Sequence, residues 1–150
     1  MNKIETITKK VSKEIISCIV LIGCFFAISY VFFNNGMPNG DDIHFHLSEI
    51  YDVYNATING LNPFGPNTIA MGNVAYNAHM FYAPLPHLFA GELMYLFHNI
   101  GMTAVVAMKT TDIIFIAISG FYSYALGKRM TKSNIGGLIL GIAYTFHPYR

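Results

Sequence analysis

Two adjacent carboxylates followed closely by two imidazoles make Asp41, Asp42, His44 and His46 the most reactive run in this chain. A carboxylate or an imidazole can take a proton as a general base, and carboxylates can hold a divalent cation. Spacing limits the metal idea. His44 and His46 are two residues apart, so on a helix they point about 200° away from each other. They could share a metal only on extended chain. Asp41 or Asp42 could instead cap the helix that follows and favour its positive end. Capping, general-base or acceptor-binding chemistry, and metal ligation by Asp41 and Asp42 all stay open.

Two further groups could bind a substrate. His79, Tyr82 and His87 stand with Pro84 and Pro86 in an aromatic-proline turn. Aromatic rings of this kind also anchor chains at a membrane interface. Arg150 follows His147 and Tyr149, and could hold a phosphate or snorkel to an interface. The triplet Asn55-Ala56-Thr57 matches a glycosylation acceptor, but a membrane-apposed helix is a poor place for one. No phosphate-binding glycine loop, CxxC pair, nucleophile elbow or HExxH occurs, so soluble nucleotide, zinc and hydrolase chemistries gain no support. Cys18 and Cys24 lie six residues apart in one apolar run, too far round a helix to bond to each other.

The elements that position these groups follow from composition. Of 150 residues, 53% are hydrophobic and only 11% charged, against about 25% charged in an average globular chain. This excludes a soluble globular domain, a disordered tail and a disulfide scaffold, and predicts an all-α integral membrane protein. The nine Lys and Arg are confined. Lys3, Lys9, Lys10 and Lys13 form one group, Lys109, Lys128, Arg129 and Lys132 a second, and Arg150 stands alone. Positions 14–108 contain neither residue type but hold Glu14, Asp41, Asp42, Glu49, Asp52 and Glu92. Basic residues collect in short cytoplasmic flanks, so 1–14 is predicted cytoplasmic and 15–33 the first span. The segment 34–102 becomes a large outer loop.

Within that loop, two interfacial helices are expected, over 42–59 and 81–98. The first places Ile43, Leu47, Ile50, Tyr54 and Ile58 on one side, with His44, Ser48, Asp52 and Asn55 opposite. Gly60 is well placed to stop it. The second contains Pro84, Pro86, Glu92 and His98, which suit a lipid-facing span poorly. If it does not span, residues 103–127 run inward as span 2 and the basic loop 128–133 is cytoplasmic. Residues 134–150 then form span 3. Lys109 and Asp112 can pair along span 2, and Gly137 and Gly141 give a spacing that permits close helix contact.

The succession DDIHFHLSEIYDVYNATINGLNPFGPN, NVAYNAHMFYAPLPHLF and GLILGIAYTFHPYR resembles the start of the multi-spanning GT-C-type membrane glycosyltransferases. More closely, it is similar to bacterial YfhO-like and pyruvoyl-tetrahydropterin-synthase-related membrane proteins. The resemblance covers about 34–150. It implies transfer of a sugar from a polyprenyl-phosphate carrier to an extracytoplasmic acceptor, such as a cell-envelope glycan. It also implies a GT-C-like N-terminal part of a longer protein, since such families have many more spans. By position, Asp41 or Asp42 would be the essential acidic residue of the first outer loop. FYAPLPHLF would be the second interfacial helix, and His44 and His46 match the HFH element of the first outer loop. His44, His46, Tyr82 and Arg150 are the expected substrate-binding residues, with Asp41 and Asp42 catalytic. A divalent cation or Arg150 would meet the departing phosphate. The rival expectation is a non-catalytic membrane protein, a transporter or flippase-like component or a structural fragment, in which the aspartates only cap.

Overall fold

A computed structural model of the chain describes residues 3–34, 36, 40, 42–66 and 82–147. Those residues form five α-helices and no strand. They are α1 Lys3–Asn34, α2 Ile43–Ile58, α3 Leu85–Leu96, α4 Ala104–Thr131 and α5 Asn134–Thr145, with a 3-10 turn at His98–Ile100. The chain divides into two compact units, one of residues 1–32 with 113–150 and the other of residues 33–112.

Two helices are long and apolar enough to cross a membrane: α1 over Val11–Asn34, and α4. Along α1, Ile16, Ile19, Phe26 and Tyr30 are exposed, Phe26 to 73%. The segment 15–33 falls inside the longer helix α1, and 103–127 overlaps α4, which runs on to Thr131. Lys128 and Arg129 belong to the last turn of α4 rather than to a loop, because nothing breaks the helix before Lys132, which adopts φ 54. The expected third span differs more. Over 134–150 the helix α5 covers only Asn134–Thr145, 12 residues. That is about 18 Å, against the roughly 30 Å of a hydrocarbon core. The helix ends where Phe146 and His147 turn back onto the carbonyls of Ile142 and Tyr144. Helix α3 has 12 residues as well and falls equally short of that thickness.

In the unit of residues 33–112, α2 ends as the sequence predicts. Gly60 has φ +67. Its N–H donates to the Thr57 carbonyl, and Leu61 N–H donates to that of Ala56. This paired closure needs a left-handed residue, which glycine supplies without a Cβ clash. Helix α3 starts with Pro84 at its cap and Pro86 within the first turn, where missing N–H groups cost no helical bond. Its buried residues are His87, Ala90, Gly91 and Met94, an i, i+3, i+4, i+7 stripe that faces α2.

The packed face of α2 keeps Leu47, Ile50 and Tyr54 of the expected arc and adds acidic residues to it. Glu49, Ile50, Asp52 and Val53 are buried, while Ile58 is 46% exposed. The reason lies in Gly91. A Cβ there would stand 2.5 Å from Val53 Cβ and 3.1 Å from the Ile50 carbonyl oxygen. The absent side chain lets α2 and α3 cross at Val53, which draws the acidic neighbours inward. Ile50, Ala90, Met94, Ala104 and Ala107 form the core around this crossing, with Leu47 and Tyr54 against it. Gly91→Ala is therefore expected to cost about 1–3 kcal/mol through overpacking. The thermal unfolding midpoint of detergent-solubilised protein measures this. An unchanged midpoint would show that α3 can draw back from α2.

The other unit is built on small residues. A Cβ on Gly141 would meet Leu21 Cδ2 at 3.1 Å and the Gly120 carbonyl at 3.2 Å. One on Gly120 would meet Thr145 Oγ1 at 2.7 Å and Phe25 at 2.9 Å. Leu21, Phe25 and Tyr124 form the core, and the Phe25 and Phe121 rings lie 5.1 Å apart. The Gly137/Gly141 spacing thus does bring α5 close to α4 and α1. Glu14 of α1 is ion-paired with Lys128 of α4 and accepts the Tyr124 hydroxyl at 2.9 Å. Both charged side chains are about one-third exposed, so solvent screens the pair. Lys128→Met is expected to lower stability by less than about 1 kcal/mol, read from the same midpoint.

Candidate functional site

The chemistry-bearing run ends on the first turns of α2. Asp42 occupies the N-cap position of α2 and is exposed. The capping expectation needs correction for this residue. Its φ and ψ are −98° and 5°, and its side chain makes no capping hydrogen bond. Its backbone carbonyl instead accepts the His46 N–H at 3.0 Å. A capping side chain usually sits on extended backbone, from which it can reach the N2 or N3 amide, and Asp42 does not have that conformation. Asp41 lies outside the described residues, as do His79 and Arg150.

His44 is exposed and His46 half-buried. As the two-residue spacing requires, they do not share a face, and only His46 turns toward α3. There His46 Nδ1 and His87 Nε2 lie 2.8 Å apart, with the rings stacked at 29° and centroids 5.1 Å apart. One nitrogen must carry the hydrogen and the other offer a lone pair, so the contact holds one shared proton. His87 is 6% exposed. Phe45 ties these rings to the loop before α3. Its ring is 4.9 Å from Tyr82, 5.4 Å from His46 and 6.3 Å from His87. Tyr82 itself remains 47% exposed. Two of the expected binding residues, His46 and Tyr82, are therefore gathered by one phenyl ring, while His44 stands apart.

More ionisable groups surround this cluster. Glu49 and Asp52 of α2 are buried to 1% and 7% exposure. Further along the same pair of helices, Thr57 Oγ1 donates to Glu92 Oε1 at 2.7 Å. Asp112 of α4 lies within electrostatic range of His46. Lys109, 5% exposed, donates to the Gly36 carbonyl at 2.7 Å.

Among the described residues, no three His, Cys, Asp or Glu side chains are placed to hold a metal. What the cluster can do is exchange one proton, through the His46–His87 contact, beside a half-exposed aromatic ring. The reading of His87 as an interfacial anchor missed this. A signal was present in the sequence: His87 falls on the same helical stripe as Ala90, Gly91 and Met94. A polar residue in a buried stripe requires a partner. Phe45 carried no comparable signal, because its ring contacts depend on the loop before α3.

No family model, curated protein or solved structure matches the chain.

Proposed function

We propose that this chain is the N-terminal part of a GT-C-type membrane glycosyltransferase that moves a sugar from a polyprenyl-phosphate donor to an acceptor outside the cytoplasm. In this reading α1 and α4 cross the bilayer with the N-terminus cytoplasmic. The exposed apolar side chains of α1 support lipid contact, and the concentration of basic residues at one end supports the orientation. The single observation that carries the enzymatic reading is the cluster of Phe45, His46, Tyr82 and His87 one helical turn from Asp42. An exposed aromatic ring beside proton-exchanging imidazoles and a carboxylate suits a hydroxyl-bearing acceptor.

The chemistry assigned to these groups is simple. An acceptor hydroxyl attacks the sugar carbon that bears the phosphate. Asp41 or Asp42 takes the hydroxyl proton, and the polyprenyl phosphate leaves with its electron pair. His46 and Tyr82 hold the acceptor. Positive charge from Arg150 or a divalent cation is assigned to the departing phosphate. The test is direct. Membranes containing the protein are given a polyprenyl-phosphate-linked radiolabelled sugar and a cell-envelope acceptor fraction. Label passing to the acceptor in excess of protein-free membranes is expected. Label that stays wholly on the lipid would overturn the reading.

A further inference from the structure

Basic residues of the N-terminal flank and of the end of α4, widely separated in sequence, meet at one end of the unit of residues 1–32 and 113–150. The Glu14–Lys128 ion pair and the Tyr124 hydroxyl bond to Glu14 fix the start of the apolar part of α1 beside the last turns of α4. Lys13, Arg129 and Lys132 are all exposed there. Lys3, Lys9 and Lys10 extend α1 beyond the same end. Glu14 neutralises Lys128, and Glu5 is the other acidic residue of that flank. The charge left over is strongly positive. The opposite end of α1 has no basic residue in its last turn. Lys132 is held in a left-handed turn at φ 54, directly between α4 and α5. Its backbone is therefore fixed by both helices rather than free in a long loop.

We propose that this end is a binding surface for anionic phospholipid headgroups, with Lys13, Arg129 and Lys132 contacting the phosphates. The proposal rests on the membrane reading given above. It adds a lipid preference that membrane insertion alone does not require, since a helix pair crosses a neutral bilayer equally well. Basic residues immediately flanking a span attract anionic headgroups, and the attraction falls within a Debye length. Arg129 can also engage a phosphate through two N–H groups at once. The occupant is a lipid phosphate rather than free phosphate, because the cations flank apolar helix surface such as Ile15 and Met130, 53% and 73% exposed. An acyl chain can lie against that surface while the headgroup meets the cations.

The experiment uses full-length protein reconstituted into bilayers of equal parts phosphatidylglycerol and phosphatidylcholine. Carbonate extraction first establishes that it is membrane-integral. Trace spin-labelled phosphatidylglycerol or phosphatidylcholine then reports lipid held at the protein surface. A preference for phosphatidylglycerol of roughly fivefold or more is expected, weakening in 1 M salt. The Lys13→Gln/Arg129→Gln/Lys132→Gln variant should bring the ratio to about one while still resisting extraction. Inorganic phosphate at millimolar concentration should leave the ratio unchanged, and displacement by it would overturn the lipid assignment. An integral protein with no lipid preference, or a variant that keeps the preference, would overturn the proposal and leave the membrane reading standing. A protein released by carbonate would overturn both.

Discussion

The Asp41→Asn/Asp42→Asn variant is expected to lose sugar transfer by about 10² to 10⁴-fold while its folding and membrane retention stay at parental levels. The magnitude is that of removing a positioned general base. The separation of activity from folding follows from the geometry of Asp42. Its side chain is exposed and makes no capping hydrogen bond. The local turn is closed by backbone, with Ile43 N–H donating to the Gly40 carbonyl and His46 N–H to that of Asp42. Asparagine keeps the shape, and Asn is as good an N-cap as Asp. Only the charge and the basicity are lost. The stability change is therefore expected within about 0.5 kcal/mol, as for surface substitutions away from buried features. Transfer of label from a polyprenyl-phosphate sugar measures the activity, and the unfolding midpoint measures the fold. Full transfer by the double variant would sink the assignment of the aspartates. A large drop in midpoint would instead mark them as structural, as the non-catalytic rival expects.

The same experiment separates the aspartates from the imidazole pair. His87→Phe removes one partner of the 2.8 Å contact and leaves His46 Nδ1 to find another. Because His87 is buried against α2, this substitution acts on the packing of α2 and α3 and on any proton exchange together. Loss of activity with a lowered midpoint is expected. The effect of the aspartates is predicted to be purely chemical, whereas that of His87 is predicted to be both.

How far these arguments could be made from sequence differs by element. Hydropathy located α1 and α4, since each contains an uninterrupted apolar run long enough to be read as one helix. The stop at Gly60 was equally legible, because a left-handed closing turn favours one residue type. The inward face of α2 was legible only in part. Periodicity gathered Leu47, Ile50 and Tyr54 in one arc, but the burial of Glu49 and Asp52 depends on where the partner helix can approach. That place is set by Gly91, which lies 38 positions after Val53. The site divides in the same way. Asp42 and His46 were visible as a local run. The pairing of His87 with His46 had to be found by tertiary contact, and it depends on the crossing that Gly91 permits. The end of α5 was not legible either, because the apolar run carries on past Thr145, where the helix closes.

The glycine pair Gly137 and Gly141 was a weak sequence signal, and the structure gives it a sharp consequence. Gly137→Leu is expected to cost about 3 kcal/mol or more, the upper range for overpacking. A Cβ at Gly137 would stand 2.8 Å from the Tyr124 carbonyl oxygen and 2.8 Å from its Cδ2. The ring could rotate aside, but the carbonyl is fixed within α4, so the helices must separate. Separation would loosen the core of Leu21, Phe25 and Tyr124 and strain the Tyr124 hydroxyl bond to Glu14. Small residues matter most where helices pack in lipid, because no hydrophobic gain compensates a wider gap. Gly23 supplies the control on α1, since a Cβ there meets nothing within 4 Å. Gly23→Ala is expected to leave stability unchanged or raise it by up to about 1 kcal/mol through helix propensity. Graded unfolding of both variants in sodium dodecyl sulfate reads the difference. A Gly137→Leu variant that unfolds with the parent would show that α5 does not pack on Tyr124. A Gly23→Ala variant that unfolds far earlier would show that the open face of α1 has a partner.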